Sequence, residues 1–157
     1  MTSQSLRKGN GKRNALFTLL AVFGLIAFAA LPASAQIGDL DPSFDADGKV
    51  ATTVGTSDSA TDVAVQADGK IVAIGTTDGD TAVVRYNADG TLDTTFGVLG
   101  TGKVTTDAKG FGYPEHPQAV AIQSDGKIVV AGNAEISGLA VLYDVMVIRY
   151  NADGTLD

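Results

Sequence analysis

From Lys49 onward the chain is a succession of short β-branched runs separated by turn residues. Lys49 to Val54, Thr61 to Gln66, Lys70 to Gly75 and Thr81 to Tyr86 each predict a short strand. Asp68-Gly69 stands between two of these runs and predicts a tight hairpin, because glycine accepts the positive φ that the turn requires. Asp125-Gly126 repeats that signal. Ile71-Val72-Ala73-Ile74 is apolar without alternation, which suits a strand covered on both faces. Helical periodicity is absent outside an apolar run near the front.

The pattern is an internal repeat. Leu40-Asp41-Pro42-Ser43-Phe44 returns as Leu92-Asp93-Thr94-Thr95-Phe96, and Gly48-Lys49-Val50 returns as Gly102-Lys103-Val104. The stretch Val63 to Val72 returns as Val120 to Val129, and Arg85 to Asp93 returns unchanged as Arg149 to Asp157. The offset grows from 52 at the leucine to 54 at the lysine, 57 at the Asp-Gly pair and 64 at the arginine. A fixed core with growing offsets means loop insertions. The units are residues 36–91 and 92–155, with 156–157 opening a third.

A four-stranded antiparallel unit of this length, apolar on both faces, points to the blade of a β-propeller, with a β-solenoid as the structural rival. The expected fold is all-β: two blades of a propeller-like array in an incomplete ring. The Val63 to Val72 string, the stretch Val83 to Asp93 and Phe96-Gly97 together resemble the bacterial delta-60 repeat. That resemblance implies a tandem β-propeller-type repeat of exported and surface proteins, with no activity or catalytic residues to carry over. Propellers need roughly four to eight blades to close. The remaining blades are expected either from a longer parent chain or from self-assembly of three or four copies.

Residues 1–35 stand apart from this pattern. Arg7, Lys8, Lys12 and Arg13 precede an apolar run from Ala15 to Leu31, then Pro32 and the small-x-small site Ala33-Ser34-Ala35. These are the ordered parts of a secretory signal peptide, with an uncleaved anchor as the competing reading. The expectation is export to the periplasm, cell surface or medium, with no membrane association after cleavage.

Charge and composition narrow the function classes. The 157 residues carry a net charge of −7, and four of the 11 basic residues lie in the front segment. The rest is strongly acidic, which argues against a nucleic-acid partner. There is no cysteine, so disulfides, thiolate metal sites and cysteine nucleophiles are excluded. No phosphate loop, dinucleotide fingerprint or nucleophile elbow occurs, and no cofactor or catalytic residue is expected.

Successive connections in a meander alternate between its two ends, and both insertions of the second unit fall on one of them. The first carries Phe111, Tyr113, Glu115 and His116, stiffened by Pro114 and Pro117; the second carries Glu135, Leu139, Leu142 and Tyr143. Insertions gathered on one face of a repeat array often mark its binding face, here for an extracellular protein or glycan. The plainer reading is loop-length variation with the aromatics tucked against the blade.

The other end collects Asp68, Asp89, Asp93, Asp125, Asp153 and Asp157. Turn chemistry accounts for aspartates before glycine, with a calcium-binding repeat or a carboxylate-pair hydrolase as alternatives. No metal ligands are assigned. The recurring Phe44, Phe96, Arg85, Tyr86, Arg149 and Tyr150 are expected to pack between blades, the arginines pairing with turn aspartates. Asp68-Gly69 and Asp125-Gly126 form the hairpins.

Overall fold

A computed structural model describes residues 38–110, 112–136 and 142–157. The expected export signal, Phe111 and Leu139 lie outside the described residues. Those described are all-β, in two antiparallel sheets. Sheet one has the order β1 (Asp58–Val65), β2 (Ile71–Thr77), β3 (Asp80–Tyr86) and β4 (Lys103–Thr106). Sheet two is β5 (Glu115–Ile122), β6 (Ile128–Glu135) and β7 (Tyr143–Tyr150).

The two Asp-Gly hairpins form alike. Gly69 adopts φ +84°, its N–H donates to Gln66 O at 2.9 Å, and Asp68 Oδ1 accepts from Lys70 N at 3.1 Å. Gly126 repeats the turn at φ +85°, with Asp125 capping Lys127 N at 3.1 Å. A register shift also recurs, between Ala60 and Asp62 in β1 and between Pro117 and Ala119 in β5.

One boundary differs from expectation. The predicted first strand, Lys49 to Val54, pairs with no strand among the described residues. Its counterpart in the second unit, β4, pairs with β3 of the first unit through Val84↔Lys103, Val83↔Val104, Ala82↔Thr105 and Thr81↔Thr106. A sheet therefore takes three strands from one unit and one from the next, so the divisions at 36–91 and 92–155 cut across it. The cause is the link after β3. Asn87 N donates to Thr91 O at 2.8 Å, Tyr86 bridges Leu92, and Asp93 N donates to Arg85 O at 3.0 Å. Arg85 N then donates to Gly102 O at 2.8 Å, which lays the following residues along the β3 edge.

The sheets pack face to face. Val72, Ile74 and Val83 of sheet one meet Ile128, Val130, Ala134, Met146, Ile148 and Tyr150 of sheet two, with Phe96 completing the buried cluster. β3 is buried on both faces from Thr81 to Arg85. Its far face is covered by the unpaired segment: Val50, Thr52 and Val54 line a 250 Å³ cavity with Ala82, Val84 and Tyr86. Burial of the apolar side chains between the sheets is the main stabilising term.

Candidate functional site

The two inserted connections meet at one end of the sheets. Glu135 N donates to Pro114 O at 2.9 Å, and Lys109 pairs with Asp144. Ile136 N donates to Leu142 O at 3.1 Å, which closes the second connection on itself. His116 and Tyr143 stack edge to face, with ring centroids 5.7 Å apart at 73°. This is a favourable aromatic geometry. His116 Nε2 lies 3.5 Å from Glu135 Oε1, within ion-pair reach when the ring is protonated but without a hydrogen bond. Leu142 and Tyr143 remain half exposed, at 53% and 49%, while Tyr113 is partly buried. A groove of 390 Å³ runs alongside, between Ala108-Lys109 and the Asp144 to Val147 stretch of β7.

Glu115 does not belong to that surface. It begins β5 and is 1% exposed. Its carboxylate accepts from Thr81 N at 3.0 Å, Thr81 Oγ1 at 2.5 Å, Lys109 N at 3.3 Å and Ala108 N. A buried carboxylate needs such partners to offset its lost hydration. Glu115 thus ties β3, the residues following β4 and β5 together. Sequence reasoning read it as a loop carboxylate because it falls within the first insertion of the second unit. The usable signal was Asp58, which holds the same place in the first unit and accepts from Val54 N at 2.9 Å and Gly55 N at 3.0 Å.

At the opposite end Asp93 is the centre of a buried network. It accepts from Arg85 Nε at 2.7 Å, Lys70 Nζ at 2.9 Å and Thr95 Oγ1 at 2.7 Å. Burial works to raise its pKa, but the hydrogen bonds from Thr95 and Lys70 and the Arg85 charge outweigh it and hold the carboxyl far below the usual range. Lys70 is the member that the sequence reading missed. The Arg85 guanidinium also lies 4.4 Å from the centroid of the fully buried Phe96 ring and donates to Ala152 O at 2.5 Å. The second unit repeats the ion pairs: Asp157 accepts from Lys127 Nζ and Arg149 Nε, each at 2.6 Å. Tyr86 and Tyr150 each hydrogen-bond a threonine of a first-strand segment, Thr52 and Thr106, at 2.8 Å. Phe44 is partly buried.

The other carboxylates of this end are engaged locally. Asp89 and Asp153 accept from Thr91 and Thr155, which lowers both below the ordinary aspartate value. Among the described residues no group of three or more His, Cys, Asp or Glu is placed to hold a metal. A cleft of 690 Å³ opens between the two Asp-Gly hairpins, lined by Gln66, Lys70, Arg85, Gln123 and Ser124. It is larger than the groove beside the insertions, and Gln66 Oε1 has no hydrogen-bond partner among the described residues.

Neither a curated protein nor a solved structure matches the chain. A family model described as a domain of unknown function (DUF5122) beta-propeller matches residues 66–96 and 123–157, each time the hairpin, two strands and the following link, so the chain is similar to a β-propeller-type repeat family.

Proposed function

We propose that this is an exported repeat module of the delta-60 type, whose insertion end binds an extracellular protein or glycan. One observation supports the reading above others: the two insertions converge and hold Tyr143 against His116, with half of the tyrosine still exposed beside Leu142. A ring held by a neighbouring ring presents contact area at little entropic cost, and its face suits a sugar ring or an apolar side chain. The adjoining 390 Å³ groove adds Lys109 and Asp144 as polar contacts.

The test is binding of the chain to a glycan array and to isolated surface proteins, with Tyr143→Ala and His116→Ala beside it. Each variant should weaken binding roughly tenfold, equivalent to about 1.4 kcal/mol, with an unchanged circular dichroism spectrum. Unaltered affinity in both would remove the insertion end from the interaction. Loss of binding on Gln66→Ala alone would instead place the ligand in the hairpin cleft.

A further inference from the structure

The 690 Å³ cleft at the hairpin end has both of its walls in this chain. The β1–β2 turn supplies Gln66 and Lys70, and the β5–β6 turn supplies Gln123 and Ser124. Gln66 and Gln123 hold the same place in the two units, 57 residues apart. Their main-chain N–H groups close the turns, donating to Lys70 O and Lys127 O at 2.8 Å each. Any residue with an N–H serves that purpose, so turn closure explains neither amide side chain.

The polar groups of the cleft are largely uncommitted. Gln66 is half-buried, and its Oε1 is buried with no hydrogen-bond partner among the described residues. An unmade bond to a buried acceptor is costly, and turning the amide about its soft terminal torsion breaks no bond to that oxygen. Gln123 and Ser124 are exposed. Lys70 gives one N–H to Asp93 Oδ2 at 2.9 Å and keeps its side chain 28% exposed, which leaves two ammonium donors to face solvent or a ligand.

Two properties narrow the ligand. Lys70 and Arg85 line the cleft beside Asp68, and Asp93 pairs with both cations, at 2.9 and 2.7 Å. Two positive and two negative groups leave no net charge there to attract an ion, and the whole chain carries −7. An extended peptide binds by pairing with a strand edge, but the main-chain groups of these turns are engaged within them. Gly69 N donates to Gln66 O and Gly126 N to Gln123 O, each at 2.9 Å. Recognition therefore falls to two amides, an ammonium and a hydroxyl, flanked by Val65 and Ile122. A primary amide donates and accepts side by side, which matches neighbouring hydroxyl groups of a sugar, and aliphatic flanks suit its C–H faces.

We propose that the hairpin cleft is a binding site for an uncharged oligosaccharide, held by Gln66, Lys70, Gln123 and Ser124. It is separate from the site at the insertion end and does not depend on it. Its volume falls within the range of about 300–1,000 Å³ usual for ligand pockets.

Titration calorimetry of the chain with cellotriose, maltotriose and triacetylchitotriose tests the assignment, with trigalacturonate and trialanine beside them. At least one neutral trisaccharide should bind with a Kd of about 1 mM, as befits an open polar cleft. Gln66→Ala and Gln123→Ala should each weaken it roughly tenfold with an unchanged circular dichroism spectrum, the effect of removing a ligand-bonding amide. Tyr143→Ala, at the other end of the sheets, should alter it by less than about twofold. The side-chain amide resonances that Gln66→Ala removes from the nuclear magnetic resonance spectrum should shift when the sugar is added to the unsubstituted chain. Absence of binding by all three sugars at about 50 mM overturns the proposal. So does loss of binding on Tyr143→Ala in place of Gln66→Ala, or tighter binding of trigalacturonate or trialanine.

Discussion

Replacing Phe96 with alanine probes the junction where the link leaves β3 and the two sheets are locked together. The ring is completely buried, Arg85 lies 4.4 Å from its centroid, and a methyl group built on Gly154 would stand 2.8 Å from its edge. Neighbours this close have little room to collapse into the vacated space. Truncating a buried phenylalanine to alanine costs about 3–5 kcal/mol, transfer and cavity terms together. The lost guanidinium stacking accounts for about 1–2 kcal/mol of such a figure when desolvated. Against a total stability of about 5–15 kcal/mol for a domain of ordinary size, the variant is left near its folding threshold. Phe44 is an internal comparison: it packs on Gly90 in the same way but is only partly buried. Half of the transfer energy of a phenylalanine is about 1 kcal/mol. Urea unfolding followed by far-ultraviolet circular dichroism at low protein concentration, fitted with a common slope, gives both values. A Phe96→Ala loss within about 0.5 kcal/mol, or one smaller than that of Phe44→Ala, would refute this account of the junction.

Two further outcomes follow from the ionisable groups, beside the binding tests above. Asp93→Asn leaves the buried Arg85 without its anion and should cost about 3 kcal/mol at neutral pH in the same urea assay. The native Asp93 carboxyl is held well below its unfolded value, so its contribution is complete above about pH 4 and falls as the denatured state takes up the proton first; Asp93→Asn should lack this part of the acid slope. Tyr150 has the opposite sign: burial pushes its phenol up to about 12 despite the hydrogen bond with Thr106, so stability should fall between pH 10 and 12 as the unfolded phenol ionises. Tyr150→Phe should flatten that alkaline decline at a cost of about 1 kcal/mol for the lost hydrogen bond, and an unchanged alkaline slope would show that Tyr150 does not govern it.

The period of the repeat, strands β1 to β3 and the hairpins were legible because their causes are local. β-branched runs and Asp-Gly pairs act within a few residues, and the pairing of Arg85 and Arg149 with turn aspartates was expected from their recurrence in each unit, though not which aspartates they meet. The phase of the sheet was not legible. Lys49-Val50-Ala51-Thr52 and Lys103-Val104-Thr105-Thr106 have nearly the same composition, yet only the second is a strand. The difference lies outside both segments, in whether a β3-type edge runs beside them. Glu115 was misread for the same reason: its burial comes from Thr81, Ala108 and Lys109, which tertiary packing brings to it. The convergence of His116 and Tyr143 was legible only as far as the end of the sheets on which both fall.

The shift between repeat and sheet has a consequence independent of how many units are joined. Each unit closes the sheet before it with one strand and opens the next with three. A linear run of any length therefore has a strand without a sheet at its front and a sheet without its last strand at its rear. In this chain these are segment 49–54, held by Thr52, Asp45 and Phe44, and β7, with Val145 and Val147 in solvent. Exposed edges and apolar faces of this kind favour aggregation unless they are covered. Adding units moves the gap without filling it. Only joining rear to front, within one longer chain or between copies, fills both gaps together, so the order of the front segment and the burial of the β7 face are two measures of one event.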